Sequence, residues 1–132
     1  MRNEKKQRLA QLRHWRVRQK VSGTKDRPRM SVCFTNEHIY VQFIDNQAGA
    51  TLVSASTRSK ATPDRENLAA NVASAKTIGK LAAEAAIAKG IKAVVFDRGG
   101  RRYHWSSGKD GKPVYGKLAA LATAARDAGL KF

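Results

Sequence analysis

The residues most able to do chemistry sit together in "KAVVFDRGGRRYHW", Lys92 to Trp105. A short apolar run, Ala93 to Phe96, leads into one acid, Asp97, then Arg98, Gly99, Gly100, Arg101 and Arg102, then Tyr103, His104 and Trp105. An aspartate here could hold a metal or act as a general base, and glycines let backbone N–H groups approach a phosphate. The phosphate-loop fingerprint is absent, because there are no further glycines at fixed offsets and no Lys-Ser/Thr pair opening a helix. Two-metal phosphodiester cleavage needs several carboxylates around cations about 4 Å apart. Here Asp45 ends a separate apolar run and Glu84 falls on the polar side of a helical pattern, so no convergent cluster is expected. A Ser or Cys nucleophile also lacks support, since His104 has no orienting acid beyond Asp97. The favoured chemistry is holding a phosphate, with Arg98, Arg101 and Arg102 as cations beside Tyr103, His104 and Trp105 as rings able to stack on bases. Asp97 is expected to be structural, capping backbone N–H groups of the turn or pairing with Arg98 or Arg101. No catalytic residue, metal site, cofactor or small-molecule substrate is expected.

Charge supports that choice. The chain has 26 Lys and Arg against 10 Asp and Glu over 132 residues, a net +16. Such a field favours polyanions, nucleic acid before an anionic membrane. It is front-loaded, with eleven bases and two acids in residues 1–29. Arg8, Arg13, Arg16, Arg18, Lys20, Arg27 and Arg29 are the candidate phosphate contacts there. From Asn3 to Val21 the apolar residues Leu9, Leu12, Trp15 and Val17 make no continuous stripe, so residues 1–29 are expected to be a basic arm, partly disordered until a partner orders it. A transit peptide and a solvated tail are the blander readings. Against them, the joint "SGTKDRPRM", Ser22 to Met30, keeps its bases and shows no small-residue cleavage pattern, while Gly23 and Arg27-Pro28 break any helix and feed a strand. No apolar run approaches the roughly 20 residues of a membrane span. The single cysteine, Cys33, reads as a small strand residue, and three histidines scattered along the chain make no zinc spacing.

The elements that must position these residues follow from periodicity. Met30, Val32 and Phe34 alternate with polar or small residues, and Asn36-Glu37 turns the chain. From His38 to Asp45, Ile39, Val41 and Phe43 oppose Tyr40, Gln42 and Ile44, which predicts a central strand covered on both faces. "NQAG" turns again into a third strand, Thr51 to Thr57. Leu68, Val72, Ala75, Gly79, Ala82 and Ala86 then recur at helical spacing, with Thr62-Pro63 as start signal and Gly90 as stop. Ala93 to Phe96 reads as a buried strand parallel to a neighbour, with the helix as crossover. Lys117 to Ala128 reads as a last helix ending at Gly129, with Leu130 closing a Schellman cap. The fold class is α/β: a three-stranded antiparallel meander, crossover helix, parallel strand and C-terminal helix, in residues 30–132. Ligands of such open sheets bind beyond the carboxyl ends of the strands, where Asp97 to Arg102 fall.

The blocks "RPRMSVCFTNEHIYVQFID", "LVSAST", "KGIKAVVFDRGG", "YH" and "LAALATAARDAGLKF" together resemble the family of bacterial large-subunit ribosomal protein eighteen. The resemblance covers nearly the whole chain. It implies a ribonuclease-H-like topology without catalysis, binding to 5S rRNA, its attachment to 23S rRNA in the central protuberance, and a neighbour in large-subunit protein five. It implies a cytoplasmic ribosome, with an organellar one as the alternative. Matched position by position, it adds Asn36 and His38 to the candidate RNA contacts and supports Arg27, Arg29 and Asp97 to Gly100. Phe34 departs from the family's usual Arg, and Glu37 from its usual Lys. Trp105 to Tyr115, "WSSGKDGKPVY", is an extension where the family passes almost directly into the last helix, and it reads as a hairpin turning at Lys109-Asp110-Gly111. Two rival functions share these residues: a metal-dependent nuclease of the same topology, and a general nucleic-acid-coating protein.

Overall fold

A computed structural model of the chain describes residues 2–60, 62–63, 65–101 and 103–132. Helix α1 (Asn3–Lys20) precedes strands β1 (Arg29–Phe34), β2 (Ile39–Asp45) and β3 (Ala50–Ser56), then helix α2 (Val72–Ala88) and strand β4 (Val95–Asp97). A small hairpin, β5 (Trp105–Ser107) and β6 (Pro113–Tyr115), leads into α3 (Lys117–Asp127). The sheet order is β3-β2-β1-β4, antiparallel except for β4, which runs parallel to β1 as expected.

Alternation fixes the register of this sheet. Met30 stands opposite Phe43, Val32 opposite Val41 and Phe34 opposite Ile39, all buried on one face. A slip of one residue would turn every one of them to the other side. That face is covered by α2 and α3. The buried positions of α2, among them Ala75, Ile78, Ala82 and Ala86, recur every three or four residues. Gly79 faces the backbone carbonyl of Leu121 on α3, which stands where a Cβ would be built, so the two helices approach to backbone contact. Among the described residues no helix covers the opposite face of the sheet. Gln42 and Cys33 are exposed and Tyr40 and Ile44 half-buried, so β2 is covered on one face only, because both body helices lie on the same side.

Helix α2 also starts later than Thr62-Pro63 suggests. The Asn71 side chain accepts a hydrogen bond from the Ser74 backbone N–H at 2.8 Å, and the Ser74 hydroxyl accepts from the Ala69 N–H at 2.9 Å. This local capping outcompetes the proline as a start. Leu68 therefore packs on the core from outside the helix, and Val72 is 37% exposed rather than buried. The end of α3 is as expected: Leu130 N–H donates to Ala125 at 3.3 Å, Gly129 N–H to Arg126 at 3.0 Å, and Gly129 has φ 115°. Beyond it Phe132 stacks on Phe96 at 5.2 Å with the Arg126 guanidinium 4.5 Å over its ring.

Within the arm, Asn3–Lys20 form one continuous helix with no buried residue. Lys, Arg, Gln, Leu and Ala are good helix formers, Glu4 lies in the first turn and Arg18 and Lys20 in the last, which suits the helix dipole. Propensity, not burial, makes this helix. Its like-charged neighbours at three- and four-residue spacing, Lys5 with Arg8 and Arg16 with Lys20, oppose it.

Because Gly79 is in a helix interior, replacement by Ala would ordinarily gain about 1 kcal/mol. Here Gly79→Ala pushes α2 off α3 and is expected to lose about 1–3 kcal/mol in urea unfolding, the usual cost of overpacking; a gain would contradict the backbone contact.

Candidate nucleic-acid interface

The site is built around a buried ion pair. Arg29 donates to the Asp97 carboxylate at 2.7 Å across 68 residues of sequence, and both side chains are almost wholly buried. The Arg29 Nε also donates to the Asn46 side-chain oxygen at 3.1 Å, and that oxygen accepts a second bond from the Gly23 N–H at 2.9 Å. The other Asp97 oxygen accepts from the Gly99 N–H at 2.8 Å. One network thus ties the arm's joint, the end of β2 and the glycine loop. Asp97 caps the turn as expected, but its partner is Arg29, not Arg98 or Arg101. Arg29, expected at a phosphate, is turned inward and holds the frame instead. Its place at the head of β1, paired alongside β4, brings it to the strand that carries Asp97.

Gly99 and Gly100 have φ values of 62° and 77°, a region other residues rarely adopt. A Cβ on Gly100 would lie 3.1 Å from the Cβ of Arg13, and one on Gly99 would lie 3.5 Å from the His14 ring. The space expected to admit a phosphate admits α1. This contact carries Arg13 to a cleft of about 480 Å³ that it lines with Arg101, His104 and Lys117. Arg101 is steadied by a 2.8 Å bond to the Phe34 carbonyl and by the Phe34 ring, 5.5 Å below its guanidinium. The cleft also borders the start of α3, whose cap residue Gly116 makes no side-chain bond and whose first turn has no acid. Cations gathered at the positive end of a helix repel it and one another. An anion seated among them removes that penalty.

The other candidates spread along the same region. Arg8, Arg16, Arg18 and Lys20 are exposed on α1. Arg27 reaches back to the Val94 carbonyl at 3.3 Å. Asn36 and Arg98 are exposed, and His38 is half-buried with its Nδ1 3.0 Å from the Thr57 hydroxyl and its ring edge-on to Tyr40. Tyr103 is not brought to the cleft; it lines a groove beside α3. Arg102 lies outside the described residues. Sequence reasoning did not name four further candidates, Lys117, Arg58, Lys60 and Trp15. Lys117 was legible as a base where a helix start prefers an acid. Arg58 and Lys60 follow β3, whose carboxyl end shares an edge with that of β1 because both run antiparallel to β2. Trp15 is 56% exposed, too open for a core role.

Arg29 with Asp97 is the one ion pair among the described residues, so the remaining described bases keep their charge uncompensated. Asp45 is spent on backbone, accepting from the Gln47 and Ala48 N–H groups at 3.0 and 3.3 Å. Among the described residues no three His, Cys, Asp or Glu side chains gather as a metal site.

A family model described as "Ribosomal L18 of archaea, bacteria, mitoch. and chloroplast" matches residues 3–132. The chain belongs to that family. Relatives named "Large ribosomal subunit protein uL18" include one from Solibacter usitatus, 52% identical over 119 residues, covering 90% of this chain and 88% of the relative. Another, from Lactococcus lactis subsp. lactis, is 51% identical over 127 residues, covering 96% and 95%. A third, from Thermotoga petrophila, is 48% identical over 130 residues, covering 98% and 96%. The uL18 match therefore spans arm, joint and body together, the parts that the Arg29–Asp97 network joins.

Breaking one side of that pair leaves a buried charge alone. Asp97→Ala is expected to lose about 3–5 kcal/mol in urea unfolding, whereas the double variant Arg29→Met/Asp97→Leu recovers most of it. Equal losses in both would assign the network no such role.

Proposed function

We propose that this chain is a non-catalytic constituent of the large ribosomal subunit that binds 5S rRNA and helps attach it to 23S rRNA in the central protuberance, beside uL5. The cytoplasmic ribosome is the setting this reading carries. The observation that supports it most is the cleft where Arg13 of the arm meets Arg101 and Lys117, charged and without acid partners among the described residues, with the His104 ring beside them. Three segments distant in sequence supply those cations, and the fold, not the sequence neighbourhood, sets their spacing. Such an array suits a folded RNA whose phosphates come from more than one strand. Binding replaces condensed counterions by fixed side chains, and selection for one RNA comes from shape. Against the nuclease alternative, both Asp97 oxygens are occupied by Arg29 and Gly99.

If roughly six to eight phosphates are neutralised, affinity for 5S rRNA falls by a few powers of ten between about 50 and 200 mM salt. Deleting residues 1–21 is expected to flatten that slope, and an unchanged slope would refute the arm's role. Unrelated RNA at matched salt should compete poorly; equal competition would favour a general coating protein. Labelled RNA incubated with Mg²⁺ should stay intact, and cleavage abolished by a folded Asp97→Asn variant would establish the nuclease. Trp15→Ala should weaken 5S rRNA binding by about 1–3 kcal/mol if the ring stacks on a base, with unfolding unchanged.

A further inference from the structure

The groove beside α3 lies apart from the cleft of Arg13 and has residues the proposed function does not use. It consists of two continuous hollows of about 510 and 590 Å³ that share Tyr115, Thr123 and Asp127. On one side stand Lys76 and Lys80 of α2, one turn apart and exposed, and on the other Tyr103, 37% exposed, and the β5–β6 hairpin. Neither lysine is ion-paired among the described residues. Arg126, at the groove's edge, is held by its bond to the Phe132 carbonyl at 3.2 Å. Beyond the lining, the turn of the hairpin carries Lys109 and Lys112, both exposed, and the acid Asp110.

We propose that this groove is a second RNA site, taking an unstacked nucleotide with its base against the rings of Tyr103 and Tyr115 and its phosphates toward Lys76 and Lys80. The proposal rests on the reading of the chain as an RNA-binding protein. Charge complementarity selects the occupant, since Lys76 and Lys80 on one wall and Arg126 at the edge outnumber the one acid of the lining, Asp127, which favours a phosphate chain over a peptide of mixed charge. The tyrosine rings supply the stacking surface that single-stranded nucleotides use. Asp127 fits the same occupant, because a carboxylate accepts hydrogen bonds from base amino and imino groups. The bland alternative is an uncovered helix pair in solvent.

The test uses the full chain with ribosomal RNA extracted from large subunits of the same cells. Short-wave ultraviolet irradiation followed by mass spectrometry of nuclease-trimmed peptides should map RNA adducts to Tyr103 or Tyr115 as well as to the arm. In Lys76→Glu/Lys80→Glu the tyrosine adducts should fall at least tenfold while arm adducts persist. Adducts on the arm alone, or tyrosine adducts indifferent to the lysines, overturn the second site and leave the first intact. Adducts nowhere overturn both readings.

Discussion

A charge removed from water must be matched, and in this chain that requirement organises the interface. Arg29 and Asp97 are buried together, so neither can move without stranding the other. Around them, Asn46 fixes Gly23 at the root of the arm and Asp97 fixes Gly99 at the start of the loop. The route of the arm and the shape of the loop are thus set by the same few atoms. What faces RNA in the proposed reading is exposed and long-limbed; what aims it is internal and short of freedom.

Placed on that frame, the cationic cleft is organised before any ligand arrives. Arg101 is clamped by Phe34, and the glycine pair lets α1 close in until Arg13 joins the cleft. Holding like charges together costs free energy in the free protein, and that cost is released when an anion enters. The large sheet contributes stiffness, with Met30, Ile39, Val41 and Phe43 wholly buried beneath α2 and α3.

Most of the body was legible in the sequence, because one buried face leaves a period. The alternation of Met30, Val32 and Phe34 announced β1, and the cap at Gly129 and Leu130 announced the end of α3. The start of α2 was not, since Asn71 and Ser74 form a cap only through side-chain bonds that outweigh the louder Thr62-Pro63 signal. The second face of β2 misled because Tyr40 and Ile44 look apolar whether or not anything covers them. At the site, composition marked the bases but not which would be turned inward. Arg29 and Arg27 are equivalent in type, and only the pairing of β1 with β4 separates a frame residue from an exposed one. The charge-rich arm gave no apolar stripe to read, and its helix rests on propensities too weak to decide by inspection.

The β5–β6 hairpin enters and leaves the body at a single point, where the Gly116 N–H donates to the His104 carbonyl at 2.8 Å. Chain added or removed between those two residues therefore returns to the same place, and α3 begins where it did before. Tyr115 is tied to the core and the groove, so the freedom lies at the turn between Ser107 and Pro113, where a change of length leaves that junction in place.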